Sequence, residues 1–555
     1  MVGMAVTCLA VFALSQGVEP SFPGTQPKLV VLCVVDQLRG DYPMRWKSQM
    51  GPGGFRRIMD QGTHFTNCHY PYAYTLTGAG HATIVTGALP SVHGIIGNNW
   101  YDNKLGQMVY CATSSRHQNF PEKPGAKKPG GSAERLLVPT IGEALKKSSA
   151  GKSKVIALSS KDRGAVLLAG AQSDGCFWWD TETGLLGSST FYGNALPDWV
   201  TQWNQTGMAK QWLGTSWQKF RPEIDYSNFS GPDEIPGEGE GANKKQGRVF
   251  PHPFPSDMGK EYFNAVYASP FANEVLLNAS FQAIDSEKLG QKDTTDLLLL
   301  SFSSNDLVGH SWGPDSQEVL DITLRTDDLL RRLFTRLDEK IGKGQWTMYL
   351  TADHGVCPLP EVSKAKGLDA GRIDPTLLKL EMENHLHEVF GEPDPKVSFF
   401  AGDLEENLYL NRPYLKSRGL DYEVVAQCLA KWLKLQTGIQ NVYTRGDLLK
   451  SVKEADPIQQ MCRNSFHPDR SGDLMVILKP FWLVSSGTGT THGMPHPYDT
   501  HVPLMILGSG IPYLASEERV SPQQVAIIIA AQLGIPMVKG NTLKIPQSLE
   551  KWLGK

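Results

Sequence analysis

Short, almost unbroken apolar runs recur along the chain at residues 29–35, 155–158, 297–302, 347–351 and 502–507. Apolarity at consecutive rather than alternate positions, over so few residues, is the pattern of strands covered on both faces. Between these runs the apolar positions take helical spacing. The clearest case is 316–341, where Leu320, Leu324, Leu330, Leu333, Leu337 and Ile341 recur among charged residues. Helical patterns at 377–389 and 422–435 are separated by Pro and Gly turns. Strands alternating with helices predict an α/β sandwich: a mostly parallel central sheet flanked by helices.

In such folds ligands gather at the carboxyl ends of strands, so polar residues just past an apolar run carry the most information. Asp36 follows 29–35, Lys161 follows 155–158 after a serine-rich step, Asp306 follows 297–302, and Asp353 with His354 follows 347–351. The pattern divides the chain into a catalytic α/β domain built from 25–357 and 486–555, with 358–485 as an insertion capping the site. The Gly- and Glu-rich stretch 231–247 is expected to be a surface loop, and no internal repeat is present.

Composition narrows the function. With 555 residues, 40% of them hydrophobic, the chain can bury a large core. The formal charge of −3, without a block of Lys or Arg, argues against a nucleic-acid or membrane-surface partner and for a small-molecule substrate. Nothing calls for a partner subunit, so a monomer is expected. Residues 1–17 read as a signal peptide, apolar and too short to span a bilayer, although no Lys or Arg precedes the apolar run; a periplasmic or secreted protein is the consequence. Of the eight cysteines, Cys8 falls in that leader, Cys33 reads as core, and Cys68 and Cys111 could pair in an oxidising compartment.

Asp36, Asp306, His310, Asp353, His354 and His492 supply three carboxylates and three imidazoles, a donor set suited to two divalent ions, zinc foremost. Singly, each has a plain alternative, such as a helix cap or a structural histidine. Asp306 and His310 are four apart and would share one helix face. Asp353 and His354 are neighbours that can converge in a loop if Gly355 allows a sharp turn. In 74–83, small residues follow Thr77, and a hydroxyl at a helix start is either an ordinary N-cap, for a helix beginning near Gly80, or a nucleophile beside an anion site.

Several segments together resemble the alkaline phosphatase superfamily: Val-Val-Asp36-Gln-Leu-Arg-Gly-Asp, Thr77 before Gly80-His81, Asp306 with His310, Thr351-Ala-Asp353-His354-Gly355, and Thr491-His492-Gly493. Ser160-Lys161-Asp162-Arg163-Gly164-Ala165 and Gly97-Asn98-Asn99-Trp100-Tyr101-Asp102 make it most similar to the secreted, phosphate-irrepressible bacterial enzymes that use threonine. The resemblance implies one zinc ion on Asp306, His310 and His492, and a second on Asp36, Asp353 and His354 with Thr77 completing it. It further implies that Asn98, Lys161 and Arg163 bind the phosphoryl oxygens of a phosphate monoester. His496 and His501 compete with His492, and Asn99 with Asn98. The cations Lys161 and Arg163, read as pointing the same way on an extended stretch, favour a monoester dianion over a diester. The alternatives are a phosphodiesterase or nucleotide pyrophosphatase of the same superfamily and an inactive, metal-stabilised binding protein. A sulfatase is disfavoured because Thr77 cannot yield formylglycine, and a phosphoglycerate mutase because it would normally use Ser and manganese. No leaving-group pocket is legible, so broad specificity is expected; Phe177, Trp178 and Trp179 could line the cleft, but buried packing is the expected role.

Overall fold

In the computed structural model, which describes residues 26–121, 129–391, 397–402, 407–450, 456–536 and 543–553, a ten-stranded sheet runs through the molecule. The stretch read as a leader lies outside the described residues. The middle of the sheet is five parallel strands in the order Trp346–Thr351, Leu29–Val35, Asp296–Phe302, Val155–Ser159 and Gly175–Trp179. The fold class is the expected one. Every residue of Leu29–Val35 and Asp296–Phe302 is buried, as continuous apolarity requires of strands covered on both faces. The run at 502–507 is a strand as well, His501–Gly508, but it joins antiparallel to Trp346–Thr351. Outer strands such as Thr63–His69 and Leu186–Ser189 are shorter on apolar residues and gave no comparable signal in the chain.

Register brings the strand ends level. Val35 lies opposite Phe302 and Val34 opposite Thr351, so the residues that follow these three strands emerge along one edge. The long amphipathic helix is Gln317–Lys340, with Ser316 at its N-cap accepting a hydrogen bond from Val319 N–H, and its leucines are buried in the main core.

A second, smaller core involves the chain beyond Pro375. There an antiparallel sheet of Asn407–Leu408, Leu474–Leu478 and Ile439–Thr444 is accompanied by helices Pro375–Phe390 and Tyr422–Leu433, burying Leu386, Leu429, Val442 and Ile477. Ala73, Tyr74 and Met494 belong to this core too, although they lie outside 358–485.

Two local expectations are corrected. Cys68 and Cys111 are buried and unpaired. Cys68 is held in the sheet opposite Val502, whereas Cys111 packs beside Gly78. The stretch 231–247 is not wholly a surface loop. Gly239 N–H donates to Ser311 O at 2.6 Å and Gly489 N–H to Gly237 O at 2.6 Å, and this pinning drives Glu238 inward to 1% exposure.

Burial pushes the Glu238 carboxyl up to about 9, with only Ile235 N–H, 3.0 Å from Oε2, opposing it. A carboxyl whose folded pKa is raised contributes fully below its unfolded value near 4.5, and that contribution is lost as the pH rises toward about 9. Glu238→Gln keeps the acceptor and removes the ionisation. It should therefore raise the melting temperature more at pH 8 than at pH 5; an equal change at both pH values would contradict this assignment.

Candidate active site

Asp36 leaves its strand with its N–H on Phe302 O, 2.9 Å away, and Gln37 then takes φ 63°, a left-handed turn uncommon for a residue with a side chain. That turn lets Gln37 donate twice: its backbone N–H to Asp353 Oδ1 at 3.2 Å and its Nε2 to Asp306 Oδ1 at 2.7 Å. Asp306 and His310 sit on one face of the helix Ser304–Trp312, with Nε2 and Oδ1 3.1 Å apart. Asp353 and His354 follow Trp346–Thr351 and converge as expected, though for a different reason. Gly355 is there for close packing, since a Cβ at that position would lie 2.1 Å from Tyr498 O.

The three imidazoles are oriented alike. Nδ1 of His310 is 2.7 Å from Thr490 O, Nδ1 of His492 is 2.7 Å from Thr75 O, and Nδ1 of His354 is 2.9 Å from Gly355 O. Donation from Nδ1 to a carbonyl fixes the tautomer and leaves each Nε2 lone pair for the site, the usual arrangement behind a metal-binding histidine. His354 Nε2 lies 3.5 Å from Asp36 Oδ1 and 3.4 Å from Asp353 Oδ2, and His492 Nε2 lies 3.6 Å from Asp306 Oδ1. Two groups, Asp36 with Asp353 and His354, and Asp306 with His354 and His492, bring donor atoms within 4.8 Å of one another. His354 thus reaches both groups, and His310 adjoins the second through Asp306. His496 Nε2 is taken by Leu478 O and His501 Nε2 by Thr66 O, so neither competes with His492.

Electrostatics give this cluster its character. Burial, together with repulsion from Asp353 and Asp306, pushes the Asp36 carboxyl well up against the pull of Lys161. Burial would raise Asp306 and Asp353 too, but His310 and Lys161 hold the first down, and His354 and His81 the second. Burial pushes the His354 imidazole down to about 3 and lowers His492, keeping both neutral and able to ligate. Lys161 donates to Asp36 Oδ2 at 2.7 Å and Asp306 Oδ2 at 2.6 Å. One ammonium cannot balance three buried carboxylates, and Asp36 Oδ1 accepts no hydrogen bond at all. A shortage of positive charge, aligned imidazole lone pairs and an unsatisfied carboxylate oxygen together fit divalent cations.

Thr77 stands beside this cluster. Its helix begins at Thr77 itself, with Leu76 in the N-cap position, so Thr77 does not cap a helix starting near Gly80. Its Oγ1 is 3.4 Å from His354 Nε2 on one side and 3.5 Å from Arg163 Nη2 on the other. Lys161 and Arg163 converge, but not on an extended stretch: Lys161 is the extended N-cap residue of helix Asp162–Ala169, and Arg163 lies in its first turn, supported by Tyr110 OH at 3.4 Å. Asn98 Oδ1 accepts from Gly78 N–H at 2.9 Å, which places Asn98 beside Thr77, whereas Asn99 is exposed. Trp178 and Trp179 are buried, as expected, and in keeping with the alternative role they also line a cavity of about 360 Å³ with Lys161 and Tyr267.

Several supporting residues escaped the sequence reading. Gln37 is one, and its neighbours gave no sign of the left-handed turn. His81 places Nδ1 2.9 Å from Thr77 O and 3.2 Å from Asp353 Oδ2, with Nε2 2.8 Å from Ser301 Oγ. Its position one helical turn after Thr77 was the available signal. Arg372 grips Glu361 through two bonds, 2.7 and 2.8 Å, and donates from Nη2 to Gly489 O at 2.8 Å. That anchors the segment in which Thr490 holds His310 and from which His492 projects.

The family described as Type I phosphodiesterase / nucleotide pyrophosphatase matches residues 30–501, and the chain belongs to it. It is 34% identical to alkaline phosphatase PhoV of Synechococcus elongatus over 96% of this chain and 95% of that one. It is likewise 34% identical to alkaline phosphatase PafA of Elizabethkingia meningoseptica, over 93% of each. The crystal structure of wild-type alkaline phosphatase PafA superposes with a TM-score of 0.87 at 33% identity, covering 94% of this chain and 99% of that one.

Arg372→Ala should weaken metal binding about tenfold or more, the usual effect of removing an outer support, while the circular dichroism spectrum stays unchanged. Competition with a chromophoric chelator measures this; unchanged affinity would mean that the Arg372 anchor does not position the histidines.

Proposed function

We propose that the chain is a phosphate monoester hydrolase, an alkaline phosphatase acting through a covalent phosphothreonine at Thr77 with two zinc ions. The observation that carries this reading is the position of Thr77 Oγ1, between a carboxylate–imidazole cluster fit for cations and the Arg163 guanidinium. The relatives named alkaline phosphatase, matched over nearly their whole length, support it.

Asp306, His310 and His492 would hold one ion, and Asp36, Asp353 and His354 the other. Bound there, such ions lower the pKa of a nearby hydroxyl or water and offset charge on the departing oxygen. Thr77 Oγ gives up its proton to solvent and attacks phosphorus in line; the Oγ–P bond forms, the ester P–O bond breaks, and the alcohol leaves with a proton from water. Water then cleaves Oγ–P, restoring the hydroxyl and releasing inorganic phosphate. Arg163 and Lys161 face the phosphoryl oxygens. Asn98, whose Oδ1 is occupied by Gly78 N–H, has Nδ2 left to donate to them. The N-terminus of the helix Thr77–Thr86 adds its own preference for an anion.

A diester offers one negative charge fewer, so two cations in addition to the metal ions select monoesters; this separates the reading from the phosphodiesterase activity in the family's description. We further propose that 358–485 caps the site, that the chain acts as a monomer, and that it is exported after loss of residues 1–17. Among the described residues no helix is long and apolar enough to cross a membrane.

Thr77→Ala should abolish the phosphoenzyme and nearly all turnover of an aryl phosphate while metal content persists, as mass spectrometry and metal analysis will show; residual phosphoenzyme would exclude Thr77 as nucleophile. Chelation should silence the wild type and zinc restore it. The double variant Lys161→Ala, Arg163→Ala should lose monoester turnover at least about a hundredfold more than diester turnover, by analogy with loss of oriented charge in other active sites. Equal losses in steady-state kinetics on the two substrates would contradict the charge argument.

A further inference from the structure

A cavity of about 330 Å³ opens beside the proposed reaction centre, and its wall begins at Asn98 and His492, on either side of Thr77. The remainder comes from two stretches far apart in sequence. Leu76, Leu483 and Val484 supply an apolar patch, while Asn99, Thr488 and Thr491 add an amide and two hydroxyls. Among the described residues, His492 alone brings an ionisable side chain to its lining. Arg372 touches the wall from behind, at Ser485 Oγ, 3.4 Å, and Gly489 O, 2.8 Å, and Glu361 matches its charge. A volume at the low end for small-molecule sites suits one ring rather than a large or polymeric group.

We propose that this cavity receives the alcohol portion of the monoester and selects uncharged, hydroxylated ring alcohols of sugar or nucleoside size. The inference rests on the phosphatase reading above. The apolar patch takes one face of the ring, and the amide and hydroxyls pair with its OH groups. A leaving group that keeps a second anionic substituent, remote from the phosphoryl group, finds no cationic side chain in the wall to replace its water, and burying that charge opposes binding. Thr488 is exposed at the rim, so its side chain can be changed without disturbing the core.

The test compares kcat/KM of the zinc-loaded full chain for methyl phosphate, a hexose monophosphate, a nucleoside monophosphate and a hexose bisphosphate. The two ring monophosphates should exceed methyl phosphate by about tenfold, the scale of modest pocket discrimination, and the bisphosphate should not. Their ranking tells sugar from nucleoside. Thr488→Arg should lower the ratio of hexose monophosphate to methyl phosphate about tenfold and raise that of the bisphosphate, whereas Thr488→Glu should depress the bisphosphate further. Wild-type values independent of the leaving group, or Thr488 variants that scale all four substrates equally, would overturn the assignment while leaving the phosphatase reading intact. Absence of turnover on every monoester, with metal bound, would sink both.

Discussion

Three carboxylates, Asp36, Asp306 and Asp353, are buried at the ends of three neighbouring parallel strands, and most of what surrounds them answers to their mutual repulsion. Ionised carboxylates taken out of water are costly unless paired. Lys161 bridges two of them, Gln37 donates to two, and His81 lies against the third. Even so, the cluster remains short of positive charge. A site with that deficit has a use for divalent cations before any substrate arrives. With two such ions in place, the local charge becomes positive, the condition that a phosphate dianion requires.

Much of this frame was legible in the chain because buried parallel strands write themselves as unbroken apolar runs, and the residue after each run lands at the ligand-binding edge. Asp36, Asp306 and Asp353 were found that way. His310 followed from helical spacing to Asp306. What stayed hidden depends on contacts between distant segments. The strand Thr63–His69 mixes polar and apolar residues, and its place between His501–Gly508 and Leu514–Ser516 is a tertiary outcome. Gln37 looks like any polar residue until its left-handed turn is seen. Arg372 acts through a backbone carbonyl more than a hundred positions away, which no local pattern encodes. The spacing argument for Lys161 and Arg163 reached the right neighbours through the wrong geometry, because a helix starts between them.

The glycines of the Thr77 segment are likewise explained by packing. A Cβ on Gly80 would lie 2.3 Å from Asp353 O, so only glycine lets the helix carrying Thr77 press against the loop carrying Asp353 and His354. Gly80 thus brings two parts of the protein together. The second core reinforces this alignment, since Tyr74, near Thr77, and Met494, next but one to His492, are buried in it.

His492 Nδ1 meets Thr75 O across 417 positions of chain, and this single bond joins an early segment to a very late one. The contact is highly non-local, so it forms only after loop closure on a large scale. During synthesis the early segments emerge long before the late histidine exists, and their own sheet partners, such as Trp346–Thr351 and His501–Gly508, are late as well. A nascent or truncated chain therefore has an incomplete cage. With the proposed ions bound, tight capture would be a signature of finished folding and would shield half-made protein from premature loading.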